Sequence, residues 1–157
     1  MSEVHVYTDG ACKGNQFKKG AIAGVGVWFG KNDDRNVSER LAGAIQTNNR
    51  AELTALIRAI EIHFQVQNEI SKRIKFSPLV LHTDSQYCKN GIESWIINWK
   101  KNGWKTASKK PVKNKDLWMR LDELRNDRDI RFEWVEGHTG VHGNEEADKL
   151  AVAGCSK

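Results

Sequence analysis

The apolar residues of this chain first change period between residues 44 and 49, and that change restricts the folds open to it. Up to residue 44 they follow strand patterns, and from residue 49 they recur at helical spacing. Val4 to Thr8 alternates β-favouring types. Ala21 to Phe29 is a second such run, with Gly24 and Gly26 small enough for close packing. Lys31 to Asp34 reads as a turn and Asn36 to Ala44 as a third strand, which makes an antiparallel meander. Leu53, Leu56, Ile57, Ile60 and Phe64 then mark an amphipathic helix over Asn49 to Gln67. Leu79-Val80-Leu81, after Pro78, suits a central strand covered on both faces. Two short helices are expected between Gln86 and Lys100, and another over Asp116 to Arg125. A last strand is expected over Ile130 to Val135. The glycine-rich loop Gly137 to Gly143 leads to a closing helix over Asn144 to Ala153. Strands that meander and then alternate with helices imply one mixed α/β sheet with helices packed on it. No repeat, low-complexity tract or linker divides the chain, so residues 1–157 are expected to form one domain.

Four acidic residues stand in distinctive surroundings. They are Asp9 in Tyr-Thr-Asp-Gly, Glu52 in Gln-Thr-Asn-Asn-Arg-Ala-Glu, Asp84 in His-Thr-Asp-Ser and Asp148 in Gly-Asn-Glu-Glu-Ala-Asp. Each has an ordinary reading. Asp9-Gly10 suits a hairpin turn. Glu52 could close a capping box from Asn49. Asp84 could cap the helix that follows its strand, and Asp148 could be a solvated helix residue. Their joint placement favours another reading. Asp9 and Asp84 lie at the exits of strands that can run parallel and adjacent, where ligands collect in open α/β sheets. Glu52 and Asp148 sit on helices at the edge of apolar stripes, able to face the sheet. Two like charges about 4 Å apart repel by roughly 4 kcal/mol at an effective dielectric near 20. A site of carboxylates alone therefore points to hard divalent cations, Mg²⁺ above all, with Mn²⁺ also possible. Two such ions can clamp the attacking and leaving oxygens of a phosphodiester.

The remainder of the chain is basic, with 25 Lys and Arg against 20 Asp and Glu, which favours a polyanionic partner. Trp95, Trp99 and Trp104 are interleaved with lysines as far as Lys115, a pattern able to hold phosphates while aromatic faces pack on sugars or bases. Trp104 and Trp118, and the strand residues Trp28 and Trp134, are expected in the core. Three cysteines, Cys12, Cys88 and Cys155, make no disulfide framework and fit a reducing compartment. No apolar run is long enough to span a membrane and no signal peptide is evident, so a cytoplasmic monomer is expected.

In this order, the blocks Tyr-Thr-Asp-Gly, Gln-Thr-Asn-Asn-Arg-Ala-Glu, Thr-Asp-Ser, Trp-Lys-Lys-Asn-Gly-Trp-Lys-Thr, Gly-His-Thr-Gly and Gly-Asn-Glu-Glu-Ala-Asp resemble type 1 ribonuclease H over nearly the whole chain. The resemblance implies a ribonuclease H-like fold: a five-stranded mixed sheet, three strands in an antiparallel meander plus two parallel ones, flanked by helices. It implies Mg²⁺-dependent endonucleolytic cleavage of the RNA strand of an RNA–DNA hybrid, leaving 5′-phosphate and 3′-hydroxyl ends. By position, Asp9 would bridge both ions, Glu52 and Asp84 would complete the one near the leaving group, and Asp148 would hold the one that activates water. His138, in the glycine-rich loop, would assist turnover. Zinc at His138 and His142 is disfavoured because no paired cysteines accompany them. His142, His5, His63 and His82 carry no signal of their own.

Trp95 and Trp99 match the family's basic protrusion, which grips the DNA strand. Thr47 and Asn114 match its pocket for a DNA phosphate. Many relatives have an arginine two residues before that threonine, where this chain has Ile45. Cys12, Asn15, Asn48 and Asn49 match positions that contact the RNA strand near its 2′-hydroxyls, the group that distinguishes RNA from DNA. Two rival readings are an integrase-like strand-transfer domain acting on DNA and a non-catalytic hybrid-binding module.

Overall fold

The computed structural model describes residues 2–14, 20–66, 75–137 and 139–157. In chain order the elements are β1 (Val4–Lys13), β2 (Ile22–Trp28), β3 (Val37–Arg40), α1 (Asn48–His63), β4 (Leu79–Thr83), α2 (Gln86–Asn90), a π-helical turn (Gly91–Trp95), α3 (Ile96–Lys101), α4 (Lys115–Arg125), β5 (Ile130–Trp134) and α5 (His142–Gly154). Among the described residues five strands form one sheet in the order β3-β2-β1-β4-β5. β1, β2 and β3 pair antiparallel, and β1-β4 and β4-β5 pair parallel.

β1 is central because it changes partner partway along. Val4 to Tyr7 pair with Leu79 to His82 of β4, while Tyr7 to Lys13 pair with Trp28 to Ile22 of β2. Asp9-Gly10 is therefore no hairpin turn. The strand passes straight through both residues, and the pairing of Asp9 with Gly26 and Gly10 with Val25 overrides the local turn preference. Asp9 is not at the strand's exit either; it lies just past the end of the parallel pairing.

β3 is shorter than expected and ends at Arg40. Beyond it the Gln46 side chain replaces the ladder. Gln46 Nε2 donates to the carbonyls of Leu41 and Gly43, and Gln46 Oε1 accepts from the Ala23 amide. α1 ends at His63, before Gln65 takes φ 48°, so it is shorter than its apolar stripe implied.

Helices cover both faces. α1 lays Leu53, Leu56 and Ile60 against Val6 and Leu81, all without solvent exposure. Burying each such side chain contributes about 1.5–3 kcal/mol. α5 crosses the other face over β2. A Cβ on Gly26 would lie 2.6 Å from the Ala151 amide nitrogen, and one on Gly24 would lie 2.6 Å from that of Cys155, so the two glycines let the helix rest on the strand. α2, the π-helical turn and α3 follow one another without a break from Gln86 to Lys101. Gly91 opens this turn because the ring of the fully buried Trp118 occupies the space a Cβ would need.

Candidate active site

The position of each acid follows from these contacts. Asp84 directly follows β4, whose last residue is Thr83. It lies beside Asp9, where β1 and β4 stop pairing. Glu52 comes down from α1, and its approach depends on Gly10. A Cβ there would lie 2.5 Å from the Glu52 amide nitrogen and 2.7 Å from the Ala51 carbonyl carbon. Asp9, Glu52 and Asp84 each bring an oxygen within 4.8 Å of the others. Asp148, half-buried on α5, faces Asp9 from the opposite side of the sheet's mouth.

The ordinary roles of these acids belong to other residues. Thr47 caps α1, its Oγ1 accepting from the Arg50 amide at 3.2 Å. Ser85 caps α2 by accepting from the Cys88 amide at 3.1 Å. Asp9 Oδ1 accepts the Gly10 amide at 2.9 Å. Glu52 Oε2 is buried and has no hydrogen-bond partner among the described residues.

Such crowding favours protonation when no cation is bound. Burial pushes Asp9 up to about 8, with the charges of Asp84 and Asp148 adding to it. Burial likewise raises Glu52 well above the usual carboxylate range, helped by Asp9 and Asp84. A buried acceptor without a donor, in a set made only of oxygens, is what a hard divalent cation requires. The residues present fit Mg²⁺.

Around this centre lie the other residues singled out in the sequence. Cys12 is the last residue but one of β1 and half-buried, and burial raises its thiol. Asn48 and Asn49 open α1, the first exposed and the second half-buried. Asn114 precedes α4 with φ 60°, and each end of its amide has one partner. Its Nδ2 donates to Tyr87 Oη at 3.0 Å, and its Oδ1 accepts from Arg50 at 3.3 Å. Ile45 is 61% exposed. Asn15 and His138 lie outside the described residues.

Trp95 and Trp99 are half-buried rather than fully presented. They belong to an aromatic cluster in which Trp99 packs edge-on to Trp118 at 5.6 Å and Trp95 packs against Tyr87 at 5.5 Å. Trp104 is half-buried too, at φ 64° in the turn after α3, so of the four tryptophans expected in the core only Trp118 is fully enclosed. Trp134 is half-buried because β5 is an edge strand, and Trp28 because it ends β2. Lys101, Lys105, Lys109, Lys110, Lys113 and Lys115 are exposed beyond the aromatic cluster.

Two residues had no separate signal in the sequence. Arg50 makes a two-pronged ion pair with Asp116, at 2.9 and 2.8 Å, besides reaching Asn114. Gly137 lies so close to Asp84 that a Cβ would come within 2.7 Å of Oδ2. With Gln86, Lys89 and Glu136, it lines a cleft beside that carboxylate.

Comparison with known proteins agrees with this geometry. The family model described as RNase H matches residues 1–156. A ribonuclease H of Ruthia magnifica is 46% identical over 153 residues, covering 96% of this chain and 94% of its own length. A ribonuclease H of Pseudomonas fluorescens is 47% identical over 153 residues, covering 96% and 91%. Among solved structures, LC9-RNase H1, a type 1 RNase H with the type 2 active-site motif, superposes with a TM-score of 0.73 at 29% identity, over 98% of this chain and 72% of that one. A foamy viral protease-reverse transcriptase in complex with an RNA/DNA hybrid matches with a TM-score of 0.72 at 26% identity, over 96% of this chain and 20% of that one.

Proposed function

This chain belongs to the RNase H family, and from that premise we propose that it cuts the RNA strand of RNA–DNA hybrids as a two-metal endonuclease, leaving 5′-phosphate and 3′-hydroxyl ends. The observation that carries this reading is the meeting of Asp9, Glu52 and Asp84 oxygens within 4.8 Å, with Asp148 beside them. Asp9, Glu52 and Asp84 would hold one Mg²⁺ and Asp9 with Asp148 the second, and Mn²⁺ has ligand preferences close enough to substitute. When bound, the ions supply charge neutralisation at the phosphodiester and a deprotonated water at neutral pH.

The chain's own groups do the rest. Glu52 Oε2 meets no hydrogen-bond donor among the described residues, and the Gly10 amide is the donor to Asp9, so a cation is left to neutralise the pair. Thr47 and Asn114 hold a DNA phosphate, while the exposed lysines beyond Trp95 and Trp99 attract the same strand. Cys12, Asn48 and Asn49 contact the RNA strand and its 2′-hydroxyls, and on its sequence setting Asn15 has the same role. On its sequence setting, His138 assists turnover. Cys12, Cys88 and Cys155 are all free, which supports a reducing, cytoplasmic setting. No described helix is long and apolar enough to cross a membrane. The proposal includes activity as a monomer.

The test is cleavage of an end-labelled hybrid by wild type, Asp9→Asn and Asp84→Asn, with the product ends identified. Loss of cleavage in both variants, with 3′-hydroxyl products from wild type, is expected. Full activity in either variant refutes the carboxylate mechanism. Equal cutting of duplex DNA would favour a strand-transfer domain instead, and binding without turnover would favour a passive module.

A further inference from the structure

Two to four residues back from the carboxylates, on the same face of the sheet, lies a second group of side chains, two imidazoles and a phenol. Side chains two apart on a strand share a face, so His5 and Tyr7 lie below Asp9 on β1, and His82 lies below Asp84 on β4. His5 Nδ1 and His82 Nε2 meet at 2.8 Å. The rings are held from both sides. Tyr7 stacks on His82 with ring centroids 4.3 Å apart and planes 15° from parallel. Tyr7 is itself packed under α5, against Gly143. His5 Nε2 lies 3.4 Å from a Glu3 carboxylate oxygen.

Glu3 and Glu133 share Arg131, which reaches them at 2.7 and 2.9 Å, and Glu133 pairs directly with His82 across β4 and β5. With both imidazoles neutral, the cluster carries one negative charge in excess. His5 is about half exposed, so the gap between the rings opens to solvent.

We propose that His5 Nδ1 and His82 Nε2 form a chelate for a borderline divalent transition ion, Zn²⁺ or a neighbour in the series, separate from the carboxylate site. A carboxylate on the far nitrogen is the arrangement that orients a ligating histidine and leaves its other nitrogen bare. Glu3 does this for His5. The hydrogen now shared between the rings moves to the far nitrogen of His82, so neither imidazole gains or loses a proton overall. Metal–nitrogen bonds of about 2.0–2.1 Å need the nitrogens to separate only slightly from their present distance. Imidazole nitrogen selects zinc, nickel or copper over magnesium, while the all-oxygen cluster has the opposite preference. The same protein thus holds two sites of different hardness along β1 and β4.

The experiment titrates the whole chain with Zn²⁺ by calorimetry in excess Mg²⁺, which occupies the carboxylates. Wild type, His5→Gln, His82→Gln and Asp9→Asn are compared, with melting curves on each. One zinc is expected in wild type and Asp9→Asn, with a raised melting temperature. At least roughly tenfold weaker binding is expected in either histidine variant, the scale seen when a ligand's support is removed. His5→Gln should keep full Mg²⁺-dependent activity, which certifies its fold. Zinc binding that survives in both histidine variants, or is lost only in Asp9→Asn, overturns the proposal. Because the readout is zinc binding, a failed hybrid-cleavage assay would leave it standing, and the reverse holds too.

Discussion

Gly10 and Glu52 touch through their backbones, with the position of a Gly10 Cβ only 2.5 Å from the Glu52 amide nitrogen. The absent methyl is what allows the start of α1 to lie on β1 and deliver a carboxylate to Asp9. Gly10→Ala must push the helix outward. Overpacking of this kind costs about 1–3 kcal/mol. We expect urea denaturation to show that loss, and hybrid cleavage to fall at least tenfold beyond what lost stability explains. A variant with unchanged stability and activity would show that the contact sets nothing.

The pH dependence of the metal-free protein follows from Asp9. A carboxyl held at about 8 in the folded state binds its proton more tightly than in the unfolded chain, where the value is about 4. Its contribution is therefore favourable in acid and is lost as pH rises through that window. In chelator, the stability of wild type relative to Asp9→Asn should fall between about pH 4 and pH 8. By pH 8 the variant should be more stable by on the order of 5 kcal/mol. Excess Mg²⁺ should abolish the difference. Denaturation midpoints at four pH values test this, and an opposite slope would contradict it.

Tyr87 Oη accepts from both Asn114 Nδ2 and Trp118 Nε1 at 3.0 Å. Tyr87→Phe leaves a fully buried indole nitrogen without an acceptor, at a cost of about 1–3 kcal/mol. It also frees the amide of Asn114. The expected kinetic signature is a raised KM with kcat little changed, read in steady-state assays at a temperature where both proteins are folded. A fall confined to kcat would remove Asn114 from substrate binding.

The exposed lysines should appear in salt dependence. Each phosphate contact contributes roughly 0.7–0.9 to the slope of log affinity against log salt. Replacing Lys101, Lys105 and Lys109 by glutamine should shallow that slope by roughly two and weaken hybrid binding most at low salt. Binding measured across a salt series decides it, and parallel lines for wild type and variant would place the lysines off the nucleic acid.

Much of this molecule was legible beforehand, for identifiable reasons. α1 announced itself because its buried face repeats every three to four residues. The site was legible because its acids sit in short blocks whose neighbours are distinctive. What escaped were features decided by distant pairing. Asp9-Gly10 carries turn chemistry, yet β2 and β4 hold it extended. Asn49 and Glu52 imitate a capping box, yet Thr47 is the cap. Arg50 carries no separate signal within its block, because its partner Asp116 lies 66 residues away. The tryptophans misled because a large apolar ring reads the same in sequence whether it is enclosed, as Trp118 is, or half-open at the end of β2, on the edge strand β5 or in the turn after α3.

The four acids arrive from β1, α1, the end of β4 and α5, spread from residue 9 to residue 148. No contiguous part of the chain lacking α5 contains all four. A chain made only as far as β5 holds Asp9, Glu52 and Asp84 but not Asp148, so the full set of four comes together only once α5 settles on Gly24 and Gly26.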